Sequence, residues 1–551
     1  MALKEYKRIT LADNCVGCLA CEVACKQEHD LPVGIRWIRV FPDLREVGGR
    51  WRLNYEVTEC GHTGPPPCQS ACPADIPAWH YIRLISEGKF GEALEVIREV
   101  TPFAGVLGYV CTRPCEAVCE RGKADEPVAI RALKRFLAEY EMHKVHKGGK
   151  KAASVKKEQG AKVAIVGSGP AGLSCAYDLV RWGYAVTVFE AAPQAGGHLR
   201  YSIPDTRLPR GVLDAEIDYI RELGVEIRTN TPITDLKEVM DQGYKAIFVA
   251  AGAHRSRKLE IPGEEAKGVM YALDFLKQLH SGHRIALGEK VAVIGGGNTA
   301  VDAARAARRL GSKEVLLFYR RSRGEMPAIA EEVKEAEREG VKLEFLTAPV
   351  RILSQDGRLA GIQCVRTELG DYDASGRRSA VPIRGSEFDV HLDNLLIAIG
   401  ESVDPTMLPQ GLEYTRRGTI LVNPQTLQTS IAGVFAGGDV VTGPRDVVGA
   451  IASGKQAAVS IDRYLKGTDL RRDRPFAAKV LYDLIKGGKK SGISSLKDEK
   501  AAVAEAGRCF DCGICFEALN SGQQPACVKA CPSHCIYYRS LSELRERRWP
   551  F

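Results

Sequence analysis

The chain has 551 residues, enough for three or four domains each with its own core. It is 45% hydrophobic and 26% charged, and no apolar run approaches the roughly 18 residues that cross a bilayer, so no membrane-spanning helix is expected. The net charge of +8 concentrates in two stretches without interleaved aromatics, 142–160 and 466–492, which read as solvated linkers and not as a nucleic-acid surface.

The start, MALKEYKRITLADNC, carries charge and no apolar core segment, so a cytoplasmic location is expected. Eighteen cysteines in such a chain point to metal ligation or redox chemistry, not to a disulfide framework. Sixteen fall in three groups, at 15–25, 60–119 and 509–535, while Cys175 and Cys364 stand alone and read as core.

In chain order, residues 1–59 open with Cys15, Cys18, Cys21 and Cys25 as C-x2-C-x2-C-x3-C. This is the bacterial ferredoxin run, whose fourth cysteine ligates the other cluster in two-cluster ferredoxins. Zinc is the alternative, but four cysteines in so compact a run fit a cubane better than two zinc knuckles. A β-ribbon follows in WIRVF and WRLNYEV. Residues 60–141 hold Cys60, Cys68, Cys72, Cys111, Cys115 and Cys119, separated by AWHYIRLISEGKFGEALEVIREV. Its apolar positions recur at three and four, which predicts helix. A basic linker occupies 142–160.

Residues 161–465 alternate apolar strands and helices, the α/β pattern. KVAIVGSGPAGLSCAYDLVRWGYAVTVFE reads as strand, G-x-G-x-x-G turn, helix and a second strand ending in an acid. Gly167 permits the tight turn, Gly169 lets the backbone approach a pyrophosphate, and Gly172 lets helix and strand pack closely. Pro170 and Ala171 open the helix whose N-terminus faces the phosphates. Glu190 is placed to accept from both hydroxyls of an adenosine ribose. Gly196–Gly197, AIFVAAGAH (246–254, with Gly252) and AGVFAGGDVV (432–441, with Gly438 and Asp439) follow in the order seen in two-dinucleotide flavoproteins. That order makes FAD the expected occupant of a domain split into 161–285 and 396–465.

Between those parts, residues 286–395 repeat the unit as G-x-G-x-x-A, through Gly295, Gly297, Asn298, Thr299 and Ala300. Where an acid would hold a plain ribose, EVLLFYRR ends in Arg320 and Arg321. Guanidinium groups bind a 2′-phosphate that a carboxylate would repel, so NADP(H) is expected over NAD(H). The alternative is that one or two of these arginines, with Arg323 nearby, make ion pairs on a solvated loop. Between 161 and 465 there is no closely spaced cysteine pair, so electrons leaving this flavin need acceptors other than a disulfide.

After a linker at 466–500, residues 501–551 hold Cys512, Cys515, Cys527 and Cys531 as C-x2-C-x11-C-x3-C-P. CVGCLACEVACKQEHDLPVGIRWIRV and CGICFEALNSGQQPACVKACP resemble the first and last motifs of the ferredoxin-like subunits of the dimethyl sulfoxide reductase family. The resemblance implies one [4Fe–4S] cluster on Cys15, Cys18, Cys21 and Cys531, and a second on Cys512, Cys515, Cys527 and Cys25. A ferredoxin-like domain built from both termini follows, with the flavoprotein inserted between its halves.

CGHTGPPPCQSACPADIP and VCTRPCEAVCERGKADEPVAIRALKRF resemble the N-terminal cluster domain of the glutamate synthase small subunit, which dihydropyrimidine dehydrogenase and NADPH-dependent ferredoxin oxidoreductases share. The likeness runs on through YSIPDTRLPR, GGGNTAVDAAR and YRRSRGEMPA, and it implies roles for Leu199 and Arg207 at the cofactor. It also implies two cubanes on residues 60–119. Two departures break the pattern: Thr63 stands where a second cysteine belongs, and Lys134 where some members carry a Glu or Gln ligand. Six cysteines cannot fill two cubanes. One cluster is lost, takes His62 or another non-cysteine ligand, or borrows Cys509 or Cys535. Three or four clusters are expected in all.

The expected fold is α/β: two Rossmann-like domains for FAD and NADP, a helical iron–sulfur domain, and a split ferredoxin-like domain. The expected function is electron transfer between NADPH, FAD and [4Fe–4S] clusters, to or from a ferredoxin or a catalytic redox subunit such as a molybdenum or tungsten oxidoreductase. That places the chain in a hetero-oligomer with no nucleic-acid or membrane partner. The competing reading is a self-sufficient NADPH-dependent reductase of a small molecule, for which the chain offers no additional substrate domain. No acid–base constellation stands out, so no catalytic side chain is assigned.

Overall fold

The computed structural model describes residues 6–10, 40–47, 50–57, 65–145, 160–373, 376–472, 490–509 and 536–540; at 6–10, 40–57, 144–145 and 536–540 the description is of the backbone alone. The chain divides into two compact units, Lys151–Arg474 and the pair Met1–Lys150 with Pro475–Phe551.

Lys151–Arg474 holds two five-stranded parallel sheets built to one plan. In the first, Lys162–Val166 lies between Ala185–Phe189 and Tyr244–Val249, with Glu226–Arg228 and Val434–Ala436 at the edges. In the second, Lys290–Ile294 lies between Glu314–Tyr319 and Asn394–Ile397, with Val341–Phe345 and Val269–Tyr271 outside. Both faces of each sheet are covered, in the second by helices on one side and by the strands between 347 and 391 on the other, so the central strands KVAIV and KVAVI are apolar without alternation. Each glycine turn follows the strand on either side of which the chain proceeds in opposite directions, the switch point where such sheets bind ligands.

Two boundaries move from their expected places. Val269–Tyr271 pairs with Leu395–Ile397, and Ala272, Phe275 and Leu276 are buried in the second sheet's core. Elements of the nucleotide unit therefore begin before residue 286. Between Thr347 and His391 the chain also forms a four-stranded antiparallel sheet that the α/β pattern did not announce. Ile352, Ile362 and Cys364 bury one face of it, so its strands alternate apolar and polar.

In the other unit the helical stretch after the cysteines is two helices, Ala78–Ser86 and Phe90–Arg98, parted at Gly88, whose φ of +73° suits glycine. Helix Ile130–Val145 runs past the expected end at 141. Gly108, in helix Ala104–Val110, lies so close to it that a Cβ would stand 2.5 Å from the Arg135 Cα. A hairpin pairs Val40–Val47 with Arg50–Val57, so the second expected strand is met while the first lies further along the chain than WIRVF. Tyr6–Thr10 pairs antiparallel with Ile536–Ser540, which joins the two ends of the chain in one sheet.

The expected linker 466–500 ends early. Ser491 is buried, its amide donates to Glu116 Oε2 at 3.2 Å, and its carbonyl accepts from Arg113 at 2.9 Å. Helix Glu499–Ala506 then starts on an Asp498 cap and buries Ala502 and Ala506.

Candidate cofactor sites

The two glycine turns are near copies. Gly167 donates its N–H to Phe189 O and Gly295 to Phe318 O, each bond tying the turn to the neighbouring strand. Gly167 has φ +104° and a Cβ there would meet Ala250 O at 2.5 Å; Gly295 has φ +148° and would meet Ala398 O at 2.2 Å. The third position sets helix against strand. At Gly172 a Cβ would stand 2.0 Å from Gly167 O, whereas the second turn accommodates Ala300, fully buried. Over the central glycines, Gly169 and Gly297, nothing lies within 4 Å of an added Cβ. Both cradles are thus open where a diphosphate would approach the N-termini of helices Pro170–Arg181 and Asn298–Arg309, which fits dinucleotides.

Around the first cradle the expected residues converge. Glu190 is buried and accepts from the Ser168 amide at 2.9 Å, the Ser168 hydroxyl and the Ala192 amide at 2.8 Å. Gly197, with φ +54°, brings its Cβ position within 3.0 Å of the Gly169 Cα. Leu199 is buried in the short helix beyond it. Gly252 turns with φ +76° after strand Tyr244–Val249. Gly438 approaches Ala171 and donates to Ser453 Oγ at 2.8 Å, presenting Asp439 at the start of a helical turn. Burial pushes the Asp439 carboxyl up to about 6, with His198 pulling the other way.

Three residues the sequence did not mark join this network. His198 and His254 stack with ring centroids 4.3 Å apart, and burial lowers His254 to about 3. Glu401 accepts from Thr299 at 3.1 Å and lies 3.9 Å from His198 Nε2, so it spans the two turns. Only their proximity to Gly197, Gly252 and the strand end at Ile397 could have flagged them.

At the second cradle the arginines divide. Arg321 is buried, paired with Asp373, and donates to Arg378 O at 2.5 Å. Arg323 pairs with Glu337 and lies over the Phe345 ring. Arg320 is exposed at the end of its strand. Asn298 accepts from the Ile329 amide at 2.9 Å, holding the loop after the arginines against the turn. The Arg207 guanidinium pairs with buried Asp302 in helix Asn298–Arg309. Cys175 and Cys364 are fully buried, as expected of core residues.

In the helical unit the cysteines gather in two sets. Cys72, Cys111 and Cys115 influence one another electrostatically, with Lys134 among them. Cys68 and Cys119 form the other set. Backbone amides point at the sulfurs: Trp79 and Gln69 at Cys68, Ile76 and Ala74 at Cys72, Val128, Arg121 and Gly122 at Cys119. Burial, reinforced by the Cys119 sulfur, pushes Cys68 up to about 12, and burial raises Cys72, Cys115 and Cys119 as well. Such desolvated sulfurs become stable thiolates only with cations between them, and the amide donors favour the anionic form. The set fits iron. Arg113, held at φ +62° between Cys111 and Cys115, is fixed by Ser491 and Glu116. Cys15, Cys18, Cys21, Cys25, Cys60, Cys512, Cys515, Cys527 and Cys531, with His62 and Cys535, lie outside the described residues.

Two dinucleotide cradles in one unit and a cysteine-lined helical unit define an iron–sulfur flavoprotein that uses pyridine nucleotides. The family model described as pyridine nucleotide-disulphide oxidoreductase matches residues 161–454, and the chain belongs to that family. A second, dihydropyrimidine dehydrogenase domain II with a 4Fe-4S cluster, matches residues 50–146. The chain is 34% identical to the small chain of NADPH glutamate synthase from Azospirillum brasilense, over 77% of this chain and 92% of that one. It is 47% identical to the beta subunit of an NADP(+)-dependent formate dehydrogenase from Moorella thermoacetica, and 42% to that of an NADPH-Fe(3+) oxidoreductase from Geobacter sulfurreducens. Each match covers 73% of this chain, and 60% and 64% of those longer relatives. FprA from Mycobacterium tuberculosis, solved with NADPH, shares the fold at a TM-score of 0.50 and 19% identity, over 64% of this chain and 99% of that one. Among the described residues no helix is long and apolar enough to cross a membrane.

Proposed function

We propose that the chain moves electrons between NADP(H) and [4Fe–4S] clusters through FAD, as the electron-transfer subunit of a larger cytoplasmic redox enzyme. The observation that carries this reading is the pair of glycine cradles, alike in hydrogen bonding and both open over the central glycine, in a chain that also gathers buried cysteines. When bound, FAD supplies the exchange between a hydride's two electrons and the single electrons that clusters carry.

The protein's part is placement. The Gly167–Gly172 turn and Glu190 hold the adenosine end of FAD, and Asp439 the chain leading to its ring. The Gly295–Ala300 turn holds the nucleotide, and Glu401, bonded to Thr299 and close to His198, couples the two sites mechanically. The formate dehydrogenase and Fe(3+) oxidoreductase relatives are beta subunits, which supports a separate catalytic partner over a self-contained reductase. A ferredoxin or a molybdenum or tungsten subunit matches the resemblance of the two ends to ferredoxin-like subunits.

Anaerobic titration with NADPH, followed optically and by electron paramagnetic resonance, tests the reading. Flavin bleaching with reduced cluster signals is expected. Bleaching by NADH and not by NADPH would overturn the nucleotide assignment. The arginines give a second test. Arg320→Ser is expected to raise the KM for NADPH roughly 10- to 100-fold, the worth of one or two charge-assisted hydrogen bonds, and to leave NADH use unchanged. Arg321→Ser, which strips Asp373 and the Arg378 carbonyl of their partner, is expected to lower thermal stability and affect both nucleotides alike.

A further inference from the structure

We propose that Cys509, from the C-terminal part of the chain, is an iron ligand of the helical cluster domain, sharing one [4Fe–4S] cluster with Cys68 and Cys119. This rests on the reading of the chain as an iron–sulfur flavoprotein.

The three sulfurs line one cavity, about 380 Å³ including its open mouth. Most of its remaining wall is apolar, with Trp79, Ile82, Val128 and Ile130 prominent. Its two charged residues are engaged elsewhere: Glu120 with Lys123 at 2.7 Å, and Arg121 with Asp125 at 2.7 Å. Sulfur is therefore the ligand chemistry that this cavity concentrates. Among the described residues no three His, Cys, Asp or Glu side chains converge as a single metal ion requires. Zinc draws its ligands to about 2.3 Å from one point. A cubane spreads its thiolates around an inorganic core, and three cysteines lining one cavity suit that chemistry.

Cys509 is brought there by a built connection. Helix Glu499–Ala506 is capped by Asp498, which accepts from the Ala501 amide at 2.8 Å. Buried Glu505 accepts from the Ala129 amide at 2.8 Å. Arg508 donates to Asp125 at 3.0 Å and to Glu126 O at 2.6 Å, and its carbonyl accepts from Arg121 at 3.4 Å. The last three bonds hold the residue before Cys509 against the loop that follows Cys119. The Cys509 amide donates to Ala506 O at 3.0 Å, which ends the helix at the cavity. The deficit left by Thr63 is met from the far end of the sequence.

Iron per FAD in the purified full-length chain, with spectra of the dithionite-reduced protein, tests this. Cys68→Ser and Cys509→Ser are each expected to remove the same resonance component and the same iron, up to about four atoms per FAD for a lost cubane. The double variant is expected to lose no more than either single one. Cys509→Asp, which keeps an oxygen ligand, is expected to retain iron with shifted g-values, a change that a purely structural cysteine would not produce. Unchanged iron in Cys509→Ser would overturn the assignment, and so would a double variant that loses twice as much, which would place Cys509 in a different cluster. Wild-type protein with FAD and no iron would instead overturn the functional reading beneath it. FAD content and far-ultraviolet circular dichroism identify any variant that fails to fold.

Discussion

Gly169→Val is expected to give a folded protein that has lost FAD, while Gly172→Ala is expected to damage the fold itself. The two glycines are three residues apart in one turn, yet their surroundings are opposite. Gly169 has an ordinary extended backbone, φ −70° and ψ 179°, and nothing within 4 Å of an added Cβ. A valine Cβ there meets no protein atom, and the side chain fills the space a pyrophosphate needs. FAD affinity should fall at least about 100-fold, because close approach of the backbone to the phosphates is what the turn provides. At Gly172 one methyl would stand 2.0 Å from Gly167 O and 3.2 Å from the Ile165 side chain. The turn cannot withdraw, since Gly167 is already packed against Ala250 O and Ala251. Overpacking of this kind costs about 3 kcal/mol, or roughly 4 °C in Tm for a unit of this size. Flavin absorbance per protein and the Tm of the flavin-free forms separate the two effects. A Gly169→Val protein that keeps its flavin would sink the assignment of the first cradle.

Lys134→Met is expected to lower the midpoint potential of the cluster on Cys72, Cys111 and Cys115 by about 100 mV without changing the iron content. Lys134 is 5% exposed and its positive charge acts on Cys72 and Cys115, opposing the effect of burial on both thiols. A unit charge about 7 Å from a redox centre, at an effective dielectric of about 20, is worth roughly 2 kcal/mol. For one electron that is about 100 mV. Net charge is one of the levers that set cluster potentials, and a buried cation favours the reduced, more negative state. Methionine keeps the length of the side chain and removes only the charge. Redox titration followed by electron paramagnetic resonance reads the shift directly. A change below about 10 mV would mean that Lys134 faces no cluster. Loss of iron would mean that it helps to hold one. A shift of the expected size would mean that this chain uses a fixed cation to ease electron entry.

Much of this protein was legible because its chemistry is written in short local spacings. A glycine turn between an apolar strand and a helix is a local object, so both cradles, Glu190 and Asp439 could be named in advance. The same holds for cysteines three or four residues apart, since short spacing alone constrains where their sulfurs can point. Helix and strand periods likewise announced the alternating architecture. The sequence left open whatever depends on partners distant in the chain. Whether Arg321 meets Asp373 turns on the end of a strand 52 residues away, and the structure pairs it with that carboxylate. Nor does the sequence show that Arg207 pairs with Asp302, 95 residues away, which packing of the second helix brings to it in a buried setting. His198, Glu401 and His254 become a network only when a short helix, a two-residue strand and the end of the AIFVAAGAH segment meet. Cys509 follows the same logic: its distance from Cys68 in sequence conceals a shared cavity that hydrogen bonds of Ser491, Glu505 and Arg508 help to build. Local spacing determined which cofactors the chain is built for, and long-range packing decided which side chains are committed to holding the protein together.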